Sequence, residues 1–370
     1  MYALLPRLAH RTTKSIIPKF KTPTSKISKR EKTNLPKCDC FIVGSRNIEQ
    51  RFKSVLLRTS KLVLPIVPLE SFSVSSVRSI LVVRQHNELG DMLCCVPLLR
   101  ALRQHLSEAR ITLVASPINY AIMLHNPYVD EVLLYDKRHV MRFRTQLKSR
   151  VFDLAVVPCT VSVSVTSDVI AYFSGAKVRV GPQSLNGVEN PSGFLHNVRV
   201  SLDWTQSART HQTEQNLRIL KPMGISTGDQ RIVVGLTEKE RAWAGEFLGE
   251  RGGYANRLIG FHPGAGKRSN RWPADRFAGV ANVLTERLGA KTVVTSGPKD
   301  RATTDSFLSK LKKRPVVVEN RTIREIAGIV DQLDLFITND TGVMHVAGGT
   351  SVPVLSLFGP TDPHQWAPIG

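Results

Sequence analysis

The fold is decided by one stretch near the end of the chain, Ile337-Thr338-Asn339-Asp340-Thr341-Gly342-Val343-Met344-His345. The apolar run 333–338 that leads into it has the length of a buried strand, and Asn-Asp-Thr-Gly is typical of a turn into a helix. A second apolar run, 352–358, follows closely. Strand, turn, helix and strand in this order predict part of a parallel α/β sheet.

The turn in this stretch is a candidate anion site. A helix that begins there points its first N–H groups and the positive end of its dipole at the carboxyl edge of the sheet, where α/β proteins bind ligands. We expect Asp340, Thr341 and Gly342 to seat a phosphate group, with His345 one turn further along. Taken alone, Asp340 is more readily explained as a helix cap. Other parts of the chain favour the ligand site.

Strands and helices alternate from residue 79 to the end of the chain. In the first half, strand 80–84 is followed by a predicted helix from Asp91 to His105, and further strands lie near 110–115, 131–135, 151–158 and 177–180. The second half repeats the pattern from residue 257. We therefore predict two similar α/β domains, 79–225 and 226–370, facing each other across a cleft, with residues 1–78 as an extension outside them.

Positive charge is concentrated in that extension. The chain carries a formal charge of +21, and residues 1–78 hold sixteen Lys or Arg but only four Asp or Glu, a net +12. We expect 1–36 to be disordered, with an organelle transit peptide as a lesser alternative, and 47–64 to form a basic amphipathic helix. This helix would lie on an anionic membrane surface or pack on the globular body. A nucleic-acid partner rests on charge alone, and we predict none.

Cysteine spacing and hydropathy restrict the class of protein. The five cysteines, at positions 38, 40, 94, 95 and 159, match neither a zinc nor a redox motif and are poor disulfide partners, so we expect reduced thiols in a cytosolic compartment. The most apolar run, 62–69, is short and contains two prolines, so we predict no spanning helix.

The loop after the first strand, Gln85 to Asp91, offers a carboxylate to the cleft. In a doubly wound sheet this loop faces the ligand crevice. We predict that Asp91 faces the cleft as a general base, and that Asn87 and Gly90 contact an acceptor. Taken from the first half alone, Asp91 is more readily explained as a cap of its helix.

Two strand-end loops of the second half carry cations suited to phosphate. The loop 262–273 is rich in glycine and contains Gly264, Lys267, Arg268 and Arg271, but it does not fit a Walker A motif. The next loop contributes Lys299. A phosphate-bearing donor that faces a carboxylate across a cleft indicates group transfer with general-base help.

These motifs, taken together, resemble those of glycosyltransferase family 9, the ADP-heptose:lipopolysaccharide heptosyltransferases. The resemblance is carried by the run 80–91 with its Leu-Gly-Asp, by the His-Pro-Gly-Ala loop that ends in Arg-Trp-Pro, by Asn-Asp-Thr-Gly-x-x-His, and by the Leu-Phe-Gly-Pro-Thr-Asp-Pro of 357–363. It covers about residues 79–370, in the order and spacing of the family.

The resemblance implies a GT-B fold and an inverting transfer of heptose from ADP-heptose to a lipopolysaccharide core or related envelope glycolipid, with no cofactor and no metal. It implies that Asp91 is the general base and that Asp340, Thr341, Gly342 and His345 hold the donor's diphosphate and sugar. It also implies a cytoplasmic protein that contacts the inner-membrane surface through an anionic glycolipid acceptor.

Two departures from the family pattern leave a second interpretation open. The family's loop often reads Lys-x-Trp-Pro, whereas this chain has Asn270-Arg271-Trp272-Pro273, so Arg271, Lys267 or Arg268 would have to supply the cation. Family members also usually continue beyond the motif with which this sequence ends, and we expect weaker cleft closure if Gly370 is the true terminus. The alternative is a GT-B protein that binds nucleotide sugar without turning it over.

Overall fold

The structure, a computed structural model, describes residue 69 and residues 72–205, 209–252 and 257–369. Its first half is built around a seven-stranded sheet. The strands and α-helices of this half are, in chain order, β1 Ser79–Arg84, α1 Leu89–Leu93, α2 Val96–His105, β2 Arg110–Ala115, α3 Pro117–Met123, β3 Glu131–Leu134, α4 Val140–Lys148, β4 Leu154–Val156, α5 Val165–Phe173, β5 Val178–Leu185, β6 Val188–Glu189, β7 Val198–Leu202 and α6 Gln212–Leu217.

The first sheet is doubly wound. Its order is β3-β2-β1-β4-β5-β6, with β7 also paired to β5, and every pairing is parallel except that of β5 with β6. Strand β1 is buried on both faces: Ile80 and Val82 face one apolar cluster, while Leu81 and Val83 face another that includes α4 and α5. A strand covered on both faces reads as a continuous apolar run, as the sequence of β1 does.

The second half is a five-stranded parallel sheet in the order β10-β9-β8-β11-β12. Its elements are α7 Glu238–Glu250, β8 Leu258–His262, α8 Ala274–Leu288, β9 Lys291–Thr295, α9 Arg301–Leu308, β10 Val316–Val318, α10 Ile323–Asp331, β11 Leu335–Asn339, α11 Gly342–Gly348, β12 Val354–Leu357 and α12 Pro363–Trp366. Strand order reverses next to β8 and β11, so the loops after these two strands flank a crevice at the carboxyl edge.

The prediction of one continuous helix from Asp91 to His105 is wrong, because the chain forms two helices there. Helix α1 ends at Leu93 and α2 begins at Val96, with Pro97 in its first turn. Proline lacks the N–H that would bond to the carbonyl of Leu93, and its ring crowds that carbonyl, so a continuous helix is excluded. The break leaves α1 as a separate short helix at the carboxyl end of β1.

The two halves share packed surface and a buried polar contact. The larger apolar cluster of the first half also includes Ala327 of α10 and Val346 of α11. Arg324 of α10 donates to the carbonyl oxygens of Ala121 and Leu124 at 3.2 and 2.9 Å and is paired with Glu240 of α7. The first half is therefore tied to the second at several points around the crevice.

Within the described residues, no helix combines the length and hydropathy needed to cross a bilayer. The predicted amphipathic helix 47–64 and the predicted disorder of 1–36 lie outside the described residues. The three cysteines that the structure describes, Cys94, Cys95 and Cys159, are buried and unpaired with one another, as predicted.

Candidate active site

Two short helices, one from each half, meet at the crevice. Helix α1 follows β1 and carries Asp91 in its first turn, and α11 follows β11 directly after Asp340. An added Cβ on Gly90 would lie 2.6 Å from Cδ2 of His345, and one on Gly342 would lie 3.1 Å from Cβ of Leu89. The absence of side chains at both glycines therefore lets the two helices pack against each other.

A cleft of about 390 Å³ opens beside this contact. Both halves contribute to its walls, and they do so with residues from the motifs that the sequence singles out. The lining residues are Glu88, Leu89, Gly90 and Asp91 from the first half, and Gly266, Lys267, Asn270, Asp340, Thr341, Gly342, His345, Thr361 and Trp366 from the second.

Asp91 presents a largely buried carboxylate to the cleft. Its side chain is 13% exposed, its Oδ1 lies 3.4 Å from Nη2 of Arg84, and the Oγ1 of Thr160 is 3.5 Å away. Burial raises the pKa of Asp91 above the ordinary aspartate value, while the positive charge of Arg84 acts in the opposite direction. The carboxylate is therefore more basic than a solvated aspartate, as a proton acceptor in a catalytic site should be.

Arg84 is a buried cation held next to this carboxylate. It ends strand β1 with 2% of its surface exposed, and it donates to the carbonyl oxygen of Pro158 and to Oγ1 of Thr160, both at 3.3 Å. Its Nε has no hydrogen-bond partner in the described part of the chain. The guanidinium thus counters the cost of burying the Asp91 charge, and its position is fixed by the loop after β4.

The glycine-rich loop of the second half places one exposed cation at the cleft, Lys267. Three residues further on, Asn270 is buried, and its Nδ2 donates to Oδ2 of Asp340 at 2.8 Å. A lysine at this position, as in the family's frequent Lys-x-Trp-Pro, would place a charge against Asp340. The asparagine keeps a hydrogen bond to Asp340 but supplies no cation.

Arg271 does not line the cleft. Its Nε donates to the carbonyl oxygen of Ala265 at 2.8 Å, its Nη1 to Oγ1 of Thr303 at 3.3 Å, and its Nη2 lies 3.8 Å from Asp300. An added Cβ on Gly264 would lie 2.5 Å from Oδ1 of Asp300, so this glycine gives the carboxylate room. Both residues shape the loop around Asp300.

Asn339 holds the strand-end loops together. Its Nδ2 donates to the carbonyl oxygens of Pro263 and Gly264 at 2.8 and 3.3 Å, and its Oδ1 accepts the backbone N–H of Trp272 at 3.0 Å. The side chain is fully buried. One amide thus fixes both ends of the glycine-rich loop relative to the turn that carries Asp340.

His345 is a neutral wall of the cleft. Burial lowers the pKa of His345 to about 4, so the ring carries no charge at neutral pH. The ring sits against Gly90, its centroid is 6.3 Å from that of Trp366, and its Nδ1 is 3.9 Å from Sγ of Cys94.

Among the residues that the structure describes, no group of three or more histidine, cysteine, aspartate or glutamate side chains could hold a metal ion. Of the three cleft carboxylates, Asp91 and Asp340 are each held by a donor of their own half, Arg84 and Asn270 respectively.

Comparison with known proteins identifies the family of this chain. Residues 140–370, more than half of the chain, match the model of glycosyltransferase family 9 (heptosyltransferase). The chain belongs to this family. It is 26% identical to lipopolysaccharide heptosyltransferase 3 of Escherichia coli K12 over 304 residues, which cover 75% of this chain and 82% of that protein.

Two solved structures of family 9 are similar to the whole described body. A family 9 glycosyltransferase from Veillonella parvula superposes with a TM-score of 0.69 and 25% identity, covering 79% of this chain and 83% of the other. An E. coli heptosyltransferase in complex with ADP gives a TM-score of 0.62 at 16% identity, covering 79% and 91%. The predicted GT-B fold and the predicted family are confirmed, and the chain is a glycosyltransferase.

The structure brings together seven of the site residues that the sequence predicts. Asp91, Gly90, Lys267, Asp340, Thr341, Gly342 and His345 all line the cleft. The others do not line it: Asn87, Arg268 and Lys299 are exposed elsewhere, and Gly264 and Arg271 support the loop around Asp300.

Several residues of the site are not among the predicted ones. Thr361 and Asn339 lie inside motifs that the sequence singles out, so their place in the chain was a usable signal. Arg84 and Thr160 give no signal, because a cation at the end of an apolar strand and a threonine in a loop are common. Trp366 reaches the cleft only through the fold of the last described residues.

Proposed function

We propose that this protein transfers heptose from ADP-heptose to a lipopolysaccharide core or related envelope glycolipid, with inversion at the anomeric carbon, without a metal, and with Asp91 as general base. The observation that carries the proposal is the cleft itself, where the carboxylate of the first half faces the cation and helix turn of the second. Family membership supports the reaction class, and the names of the relatives support heptose and lipopolysaccharide.

The proposed step is a single displacement. An acceptor hydroxyl oxygen attacks the anomeric carbon of the donor from the face opposite the diphosphate, and a new glycosidic C–O bond forms. The bond between the anomeric carbon and the diphosphate oxygen breaks, and ADP leaves with both electrons. Asp91 takes the hydroxyl proton, and the raised pKa of this carboxyl supports that role.

Lys267 and the backbone N–H groups at the start of α11 would stabilise the leaving diphosphate. Lys267 is the cation that the described residues place at the cleft on the donor side, and charge-assisted contacts to phosphate are the strong ones. Because Asn270 replaces the lysine that is frequent in the family, Lys267 has to supply the positive charge that neutralises the diphosphate. Asp340, fixed by Asn270, is suited to accept hydrogen bonds from sugar hydroxyls.

The acceptor side of the proposal places the protein at the cytoplasmic face of the inner membrane. A phosphorylated glycolipid is anionic, and a net charge of +21 favours a negatively charged surface. The basic extension, residues 1–78, supplies +12 of this charge.

The donor is tested first, by thermal shift with ADP, UDP, GDP and CMP in the presence of EDTA. A ligand that binds only the folded state raises its stability by about 2.7 kcal/mol at a hundredfold excess over Kd. We expect selective stabilisation by ADP. Lys267→Ala should weaken ADP binding by about tenfold or more, whereas Arg268→Ala, its exposed neighbour, should not. Equal effects of the two changes would remove the assignment of Lys267.

The base is tested by turnover of ADP-heptose. Asp91→Asn should lower kcat by a factor of about 10²–10⁴ while ADP affinity is kept. Glu88→Gln is the matched control, because Glu88 is a carboxylate of the same cleft and the same helix turn. Full activity in Asp91→Asn would exclude the general-base role.

The second candidate is a protein that binds the donor without turning it over, and the loss of a cation at Asn270 is the observation in its favour. Selective ADP binding with no turnover of ADP-heptose on any core acceptor would establish it. Asn270→Lys should then increase ADP affinity, because the new ammonium group would lie beside the diphosphate.

A further inference from the structure

One helix of the first half combines exposed apolar side chains with a run of positive charge. Residues 137–150, which include all of α4, contain six Lys or Arg and no Asp or Glu. Within this run Met141 is 69% exposed and Val140 43% exposed, although both are apolar. Arg142, Arg144 and Lys148 form no ion pair within the described part of the chain.

An apolar groove lies beside this helix, between α4 and α5. It has a volume of about 340 Å³, and its wall is mainly apolar. The apolar residues that line it are Val140, Phe143, Leu147, Val169, Ile170 and Phe173. Phe173 is 57% exposed, and Arg144 and Lys148 stand at the rim. We call α4, α5 and this groove the α4–α5 surface.

The first turns of α4 and α5 lie at the edge of the sheet that carries Asp91. Helix α4 begins after the carboxyl end of β3 and α5 after the carboxyl end of β4, which is the edge of the sheet where Asp91 follows β1. The first turns of both helices, with the exposed Val140 and Met141, therefore lie on the side of the domain from which an acceptor would approach Asp91.

We propose that the α4–α5 surface docks on an anionic lipid bilayer. Apolar side chains ringed by Lys and Arg match a bilayer interface, where the methyl groups enter the acyl boundary and the cations pair with headgroups. A second copy of the chain fits poorly, because a two-fold interface would place like charges against each other. The choice of a bilayer as the partner rests on the proposed function, because a lipid-anchored acceptor requires the cleft to approach a membrane.

The test compares two double variants of the full chain. The first, called the α4 variant, combines Met141→Asp with Arg144→Glu and changes the α4–α5 surface. The second, the matched control on α8, combines Val283→Asp with Arg287→Glu. Val283 is 46% exposed and Arg287 is also exposed, so the control makes the same changes on a helix of the other half. Circular dichroism and the ADP thermal shift check that both variants are folded.

Binding is measured by co-sedimentation with vesicles of phosphatidylglycerol and phosphatidylethanolamine, and with phosphatidylcholine vesicles for comparison. We expect the α4 variant to lose about tenfold or more of its partition onto anionic vesicles, with the control unchanged. Unchanged partition in the α4 variant would overturn the proposal and assign any binding to the basic extension. A change in oligomeric state without a change in partition would also overturn it and identify a contact between copies.

Transfer to two acceptors separates this inference from the proposed function. The α4 variant should keep its activity on a delipidated, soluble core oligosaccharide and lose activity on the same acceptor embedded in vesicles. If the wild-type protein acted on neither acceptor, the proposed function would fail, while the vesicle partition would still decide the α4–α5 surface.

Discussion

The proton balance of the site depends on one pair of residues, Asp91 and Arg84. Burial raises the pKa of the Asp91 carboxyl above its ordinary value, and the guanidinium of Arg84, 3.4 Å away, lowers it in part. A general base works only in its ionised form, so activity falls when the pH drops below the pKa of Asp91. If Asp91 acts as the proposed base, Arg84 should influence the acid limit of activity through the pKa of this carboxyl.

Removal of this cation should move that limit. In Arg84→Gln, burial acts on Asp91 without the opposing charge, so the pKa of Asp91 rises further. We expect the acid limb of kcat/KM to move to higher pH. The same profile for Arg103→Gln, whose partner Asp130 lies far from the cleft along another strand, should not move. A shift in both variants, or in neither, would contradict the role of Arg84.

At the scale of elements, the contact between α1 and α11 aligns the two halves of the site. Gly90→Ala would place a methyl carbon 2.6 Å from Cδ2 of His345, which is inside van der Waals distance. We expect a lower midpoint of thermal unfolding, by about 1–3 kcal/mol in stability, and reduced turnover. The readouts are differential scanning fluorimetry and initial rates.

A matched glycine provides the control for this change. Gly279 lies in the middle of α8 with open space around its added Cβ, so Gly279→Ala should be neutral or stabilising by about 0.5–1 kcal/mol. A double variant tests the cause. In a protein that already carries His345→Ala, Gly90→Ala should lower the stability little further, because the obstructing ring is gone. Additive losses would show that His345 is not the obstacle.

The elements themselves follow from local sequence to a large extent. Apolar runs bounded by turn residues locate strands such as β1 and β11, and the strand predicted over 80–84 is observed as Ser79–Arg84. The strands β6 and β7 were not predicted: β6 is only two exposed residues long, and β7 alternates apolar and polar residues instead of forming a continuous apolar run. Pro97 was a visible signal for the break between α1 and α2, but the apolar periodicity across 91–105 outweighed it.

The site was predictable where a motif lies at the end of a strand, as for Asp91, Lys267 and Asp340. The sequence did not distinguish the cations of these loops that line the cleft from those that do not, because the sequence of a loop does not determine the direction of a side chain. Arg271 faces Asp300, a residue 29 positions further along the chain, and only tertiary structure brings the two together. The predicted domain boundary at 225/226 stays a prediction.

The whole molecule depends on a clamp between the two sheets. Arg324 pairs with Glu240 and donates to carbonyl oxygens of Ala121, Leu124 and Gly235, so one side chain joins α10, α7 and the end of α3. The bond from Arg324 lowers the pKa of Glu240 to about 2. The pair therefore contributes stability above the ordinary glutamate pKa, and this contribution is lost as the pH falls toward 2.

Arg324→Gln should reveal that contribution. We expect the free energy of unfolding at neutral pH to fall by about 2–3 kcal/mol, since three carbonyls and a carboxylate lose their donor. The loss should shrink toward acid pH, as Glu240 becomes protonated. Urea denaturation at neutral and acid pH measures both. Arg241→Gln removes a more exposed ion pair, to Asp331, and should have a smaller effect. Equal losses would exclude a special role for the clamp.

The fit of His345 over Gly90 also limits how this protein can be recombined with its relatives. The two residues stand 255 positions apart in the chain, yet a side chain cannot be added at Gly90 while the His345 ring keeps its place. Consider a chimera whose first half comes from a relative with a bulkier residue at the Gly90 position. We expect each of its domains to fold, but the two domains should not align correctly. Successful exchange of halves is therefore expected only between chains that share this glycine, whatever their similarity elsewhere.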